Sequence, residues 1–188
     1  MKRVNNLISL IASWDNLVLA FWKAKRGKPM THEIRMFQQT LPDNLREIQR
    51  MIQFPATADL GQYRYFTIYD PKERQICAAS FRERVLHHAL MNVCHATFDN
   101  YQIYDSYASR PQKGTERALE RARHFQFQYP YFLKIDCKKY FDSIDHGILK
   151  QLLARKFKDM SLLHLLYRII DSYEVQHEKG LPIGNLTS

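Results

Sequence analysis

Apolar residues recur at helical spacing from the start of the chain. Leu7, Ile8, Ile11, Trp14, Val18 and Phe21 share one stripe, which predicts a helix over 5–25 with that stripe buried. Gly27, Lys28 and Pro29 break it. A second helical pattern covers 31–53, with a bend at Leu41-Pro42, and Phe54-Pro55 closes it. The period then changes. Tyr63-Arg64-Tyr65-Phe66-Thr67-Ile68-Tyr69 is aromatic and β-branched, which predicts a strand. Asp70-Pro71-Lys72-Glu73 is a turn, and Arg74-Gln75-Ile76-Cys77-Ala78 is the returning strand of a hairpin.

Ser80-Phe81-Arg82-Glu83 has the form of a capping box. The helix behind it places Phe81, Val85, Ala89 and Val93 on an apolar stripe, with Leu86, Leu90 and Cys94 beside it. Arg82, Arg84, His87, His88 and Asn92 take the polar side. A loop over 105–114 follows, and Thr115 caps a further helix carrying Ala118, Leu119, Ala122 and Phe125. Tyr131-Phe132-Leu133-Lys134-Ile135-Asp136 predicts an apolar strand ending in an acid. Asp145 caps a helix with Ile148, Leu149, Leu152, Leu153 and Phe157 inward. Ser161 caps another, with Leu162, Leu165, Leu166, Ile169 and Ile170 inward. The end of the chain, from Gly180 to Ser188, is loop.

Charge narrows the function classes. The chain has 188 residues, 28 Lys and Arg against 19 Asp and Glu, and a formal charge of +9. That excess points to a polyanionic partner, nucleic acid first. Apolar residues make up 45%, enough to exclude a disordered tail. Three cysteines exclude a disulfide scaffold and favour a reducing compartment, so a cytoplasmic location is expected. Met1-Lys2-Arg3 precedes an apolar stretch, but Asn5, Asn6, Asp15 and Asn16 interrupt it. A buried helix is expected there, with no membrane partner.

Three places carry candidate chemistry. Asp136, at the carboxyl end of an apolar strand, would sit at the mouth of a site as a hard oxygen ligand suited to Mg²⁺. Two-metal phosphoryl transfer, with ions about 3.5–4 Å apart, needs further carboxylates. The nearby Asp142 and Asp145 read as a turn residue and an N-cap. Lys72 and Arg74, one residue apart on a strand, share a face and could clamp a triphosphate or simply be a solvated hairpin tip. Arg110-Pro111-Gln112-Lys113-Gly114-Thr115 joins cations to a helix start, either a phosphate contact or a plain helix entry; its order differs from a Walker A loop. His87, His88, Cys94 and His95 lack zinc-ligand spacing.

Four segments, in order, carry a resemblance. YFLKIDCKKYFDSIDHGIL resembles the first palm motif of reverse transcriptases of the bacterial retroelement kind, related to group II intron enzymes. SYASRPQKGTERAL is similar to their SYGFRPGRS-type motif, and DPKERQICAASFRERVLHHAL to the fingers segment with a PKxxR core. GLPIGNLTS is similar to the QGxxxSP motif, with Ile183 where Gln is usual, as in enzymes of diversity-generating retroelements. The resemblance runs from about Tyr63 to the end.

It implies an α+β fold: a helical amino-terminal segment over 1–55, right-hand polymerase fingers over 56–130, and an incomplete palm over 131–188. It implies RNA-directed DNA synthesis on an RNA template from a DNA or RNA primer, consuming deoxynucleotide triphosphates under two Mg²⁺ ions, with Mn²⁺ as a substitute. A small basic accessory protein belongs to the diversity-generating form. Asp136 and the Cys137 main-chain carbonyl would hold metal. Lys72 and Arg74 would hold the triphosphate. Phe141 would lie under the sugar and exclude a ribose 2′-OH. Ile183 and Gly184 would lie near the templating base and nascent pair. Arg110 and Lys113 would meet nucleic-acid backbone or brace the fingers. The YxDD motif, source of the other carboxylates, is not in this sequence, so the chain is expected to be inactive alone. A non-catalytic nucleic-acid-binding module and an untemplated abortive-infection-type polymerase are the alternatives.

Overall fold

A computed structural model describes residues 3–69 and 73–187. Lys72 lies outside the described residues. The chain divides into two compact units, residues 1–94 with 139–188, and residues 95–138. Its architecture is helical with one two-stranded antiparallel sheet among the described residues, an α+β arrangement. No helix among them is long and apolar enough to cross a membrane.

In the first unit the opening helix is two helices, α1 (Ile8–Ile11) and α2 (Trp14–Lys25). The break at Ala12-Ser13 has a local cause. Asn16 Nδ2 donates to the Ile11 carbonyl at 2.9 Å and Gln49 Nε2 to the Ala12 carbonyl at 2.7 Å, so carbonyls at the end of α1 are satisfied by side chains. The break resets the helical phase. The buried stripe of α2 is Leu17, Ala20, Phe21 and Ala24, while Trp14, expected inward, is exposed.

α3 (His32–Gln39) and α4 (Leu41–Gln53) meet at the expected bend, with Pro42 in the first turn of α4. β1 (Tyr63–Tyr69) pairs with β2 (Glu73–Ala79), Phe66 opposite Ile76 and Tyr65 opposite Cys77. α5 (Phe81–Tyr101) begins with half a capping box. Ser80 Oγ accepts from Glu83 N at 3.3 Å, but the Glu83 carboxylate turns to Gly61 N at 2.6 Å and Gln62 N at 3.3 Å. Phe81 interlocks with Phe37 and Phe21, its ring edge-on to both at 5.1 and 6.1 Å.

A short 3₁₀ turn, Phe141–Ser143, leads into α7 (His146–Ala154), capped by Asp145, whose Oδ1 accepts from Ile148 N at 2.9 Å. Ile148 and Leu152 are exposed, contrary to expectation, while Leu153 and Phe157 are buried. α8 (Met160–Asp171) buries the five residues expected inward. Its cap is Asp159 rather than Ser161. Asp159 Oδ1 accepts from Leu162 N at 3.2 Å, and Oδ2 accepts from Leu7 N at 2.9 Å and Ile8 N at 3.0 Å. One carboxylate therefore caps α1 and α8 together.

The second unit contains the end of α5, a loop and α6 (Thr115–Gln128). Gly114, not Thr115, is the N-cap of α6, with φ +100°. The apolar strand expected over 131–136 is not formed. Residues 131–137 are irregular and exposed, Phe132 at 92%. A strand exists through its ladder partners, and none of the described residues pairs with this segment.

Candidate nucleotide and nucleic-acid site

The hairpin organises two clefts in the first unit. Alternation along β1 sends Tyr63, Tyr65 and Thr67 to one face and Arg64, Phe66 and Ile68 to the other. The outer edge of β2 is closed by the segment after α8. Cys77 N donates to the Ile183 carbonyl at 3.2 Å, and Gly184 follows with φ +109°. A Cβ on Gly184 would approach Ile76 Cγ2 to 3.3 Å, so this chain lies tight against the strand.

The first cleft, about 570 Å³, is lined by Tyr65 and Gln75 of the hairpin, by Phe141, by Tyr173 and by Ile183. Its two walls are zipped together. Leu181 N donates to the Phe141 carbonyl at 3.0 Å and Gly180 N to the Ile144 carbonyl at 2.9 Å. His146 N donates to the Glu178 carbonyl at 2.9 Å. Phe141 is half-buried, with one side on the cleft. Tyr63, edge-on to Tyr173 at 5.7 Å, hydrogen-bonds Ser172 Oγ at 2.9 Å, and burial pushes its phenol up to about 12.

The second cleft, about 970 Å³, opens on the opposite hairpin face, lined by Phe66, Ile76, Gly184, Asn185 and cations from separate elements. Lys23 comes from α2, Lys28 from the following turn, Arg64 from β1 and Arg84 from α5. Glu33 pairs with Arg64 at 3.5 Å and is the lone carboxylate among the described residues lining it. Arg84 loses solvation by burial, which lowers its affinity for a proton. Below it His87, expected on the polar side of α5, is 2% exposed, with Nδ1 unpartnered. Sequence reasoning missed this cleft, because its cations are scattered over some sixty positions and only the fold brings them together.

Phe141 and Ile183 thus share one cleft, and Gly184 lines the other. Arg74 lies in β2 opposite Ile68. Asp136, Cys137, Arg110 and Lys113 belong to the second unit. Asp136 is exposed in the irregular segment, and Cys137 is an exposed free thiol. Among the described residues no group of three His, Cys, Asp or Glu converges. Mg²⁺ takes one or two protein carboxylates and fills its octahedron with waters and substrate phosphates, so Asp136 and the neighbouring carbonyl fit part of one ion's shell and not a two-ion set, which needs further carboxylates.

Arg110 is taken up by the end of α5 and by its own loop. Its Nε donates to Asp99 Oδ1 at 2.7 Å and its Nη1 to the carbonyls of Ile103 and Ser106 at 2.8 and 3.2 Å. Its hydrogen bond holds the Asp99 carboxyl below the usual range. Lys113 Nζ donates to the Tyr104 carbonyl at 2.8 Å and lies 3.8 Å from the Tyr104 ring centre.

Comparison with known proteins agrees with the resemblance at family level. The putative COX1/OXI3 intron 1 protein of Saccharomyces cerevisiae is 26% identical over 200 residues, which takes in 98% of the chain and 23% of that protein. The yeast COX1/OXI3 intron 2 protein is 24% identical over 146 residues, 74% of the chain and 16% of the relative. Group II intron-encoded protein LtrA of Lactococcus lactis subsp. cremoris is 26% identical over 123 residues, 62% of the chain and 20% of LtrA.

The chain is similar to group II intron-encoded proteins. It spans about a fifth of the length of these relatives. No family model matches the chain. The similarity to the intron 1 protein extends over nearly all of the chain, α1–α4 included, and so beyond the four motifs.

Proposed function

We propose that this chain carries the fingers and the first part of the palm of an RNA-directed DNA polymerase, with the Ile183-Gly184 variant of diversity-generating enzymes. The observation that carries the reading is the main-chain bond from Cys77 to Ile183. It draws Ile183, Phe141 and the hairpin around one cleft. In this reading a deoxynucleotide enters that cleft with its sugar against Phe141 and its base toward Ile183. Lys72 and Arg74 approach the triphosphate. Asp136 and the Cys137 carbonyl contribute oxygens to a Mg²⁺ set that needs further carboxylates. Template RNA follows the basic cleft on the other hairpin face, and the primer 3′-OH attacks the α-phosphate in the complete enzyme. A small basic accessory protein is part of the same proposal.

The test is photo-crosslinking of this chain with a labelled deoxynucleotide triphosphate in the presence of Mg²⁺. Labelling is expected on the cleft residues, competed better by deoxynucleotides than by ribonucleotides. Phe141→Ala removes the ring that meets the 2′-OH and is expected to cut that preference roughly tenfold. Labelling that ignores the cleft, or an unchanged preference in the variant, overturns the assignment.

RNA binding supplies an independent measurement. Each phosphate contact releases counterion, so log K is expected to fall with log salt by about 0.7 per contact on a single strand. The double variant Lys28→Glu, Arg64→Glu reverses two cations of the basic cleft. It is expected to weaken single-stranded RNA binding roughly tenfold at low salt and to flatten the slope. Equal affinity and slope for the variant and the natural chain would exclude the cleft as the RNA track.

A further inference from the structure

The cleft's two apolar walls reach it from different parts of the chain. Phe141 precedes α7, and Ile183 follows the turn after α8. Their separation is set where the two segments are joined, and that junction centres on His146. Asp145 caps α7 and so fixes the first turn, where His146 is the first residue. The imidazole is 3% exposed. Its Nε2 lies 2.7 Å from the Gly180 carbonyl and its Nδ1 lies 3.4 Å from Asp171 Oδ1. Asp171 is held in turn by Lys150 Nζ at 2.6 Å. One side chain therefore ties the start of α7 to the end of α8 and to the root of the segment that delivers Ile183.

The segment leaves that root with little freedom. Gly180 adopts φ +112°, and a Cβ there would lie 3.0 Å from Val175 N. Leu181 is buried and Pro182 has a fixed φ. Gly180 to Ile183 is three residues, so a change at the Gly180 carbonyl is carried directly to Ile183 and to its bond with Cys77.

We propose that His146 is a positioning residue: by binding the Gly180 carbonyl it sets the gap between Phe141 and Ile183, and hence the width of the cleft. That the gap grips a nucleotide rests on the function proposed above.

The experiment compares the natural chain with His146→Leu and His146→Gln, the second of which keeps a side-chain N–H for the carbonyl. Amide hydrogen exchange is read at Leu181, which donates to Phe141, and at Cys77, which donates to Ile183. His146→Leu is expected to speed exchange at both amides roughly tenfold while those of Ile48 and Ile52 in α4 keep their rates. His146→Gln is expected to recover most of the protection. The ratio of deoxynucleotide to ribonucleotide crosslinking is read on the same variants and is expected to fall with His146→Leu and recover with His146→Gln. Unchanged exchange at Leu181 and Cys77 overturns the proposal. So does equal acceleration throughout α4, which would mean general loosening, or a glutamine variant no better than leucine. Local acceleration with recovery, in a chain that crosslinks no nucleotide at all, supports the clasp and overturns the nucleotide reading instead.

Discussion

Asp159→Ala is expected to lower the stability of the first unit by about 4 kcal/mol. The carboxylate is buried, and its two oxygens accept from three main-chain N–H groups, those of Leu7, Ile8 and Leu162. Loss of an N-cap alone costs about 1 kcal/mol. Here the cost is larger than that of an exposed cap, because the N–H groups of Leu7 and Leu162 would be left buried without an acceptor, at about 1–3 kcal/mol each. The segment before α1 is held to the same place by Val4, whose N donates to the Lys156 carbonyl at 2.9 Å and whose carbonyl accepts from Lys158 N at 2.7 Å. Those bonds share the loss once α1 drifts. In a chain of this size the melting midpoint should fall by roughly 10 °C. Asp159→Asn keeps one carbonyl acceptor and is expected to lose about half as much. Urea unfolding followed by helical circular dichroism measures both variants. An alanine variant with the natural midpoint would show that the shared cap contributes nothing.

Acidification provides the second large effect, through His87. Burial, with a smaller contribution from His88, lowers its affinity for protons to about 4 from the usual 6.5. The folded state therefore keeps a neutral ring where the unfolded chain binds a proton. Stability from this group is complete above about pH 6.5 and is lost as pH falls toward 4. A difference of that size corresponds to about 3 kcal/mol. His87→Leu places a side chain of similar reach with no proton site, so its stability should be flatter over this window. The difference between the two pH profiles isolates the imidazole from the carboxylates that titrate in both chains. Parallel profiles would mean that the ring is solvated in the native state.

Much of the framework was readable because it rests on local chemistry. The Asp145 cap, the bend at Pro42, the hairpin and the buried stripe of α8 each follow from neighbouring residues. The misreadings share a different cause. Ser161 is as good a cap as Asp159 within its own turn. What decides is that Asp159 also meets Leu7 and Ile8, about 150 residues away in sequence. Glu83 leaves its capping box because Gly61 and Gln62 present two N–H groups. The helical period of α5 puts His87 on the polar side with Arg84 and His88, yet the fold buries it. Of the candidate site, Phe141 and Ile183 were legible only through motif resemblance. Spacing alone cannot tell that positions 42 residues apart share a cleft. The clasp at His146 was not legible at all, because its acceptor is a main-chain carbonyl and carries no side-chain signature.

The exposed run from Tyr131 to Ile135 has a practical consequence. Its side chains are aromatic or branched apart from Lys134, its single charge, and its main chain forms no ladder with the described residues. A stretch of this kind is a template for self-stacking between molecules. Concentrated solutions of the isolated polypeptide should therefore turn fibrillar with time. A second positive charge at position 133 should delay that conversion without disturbing the helices.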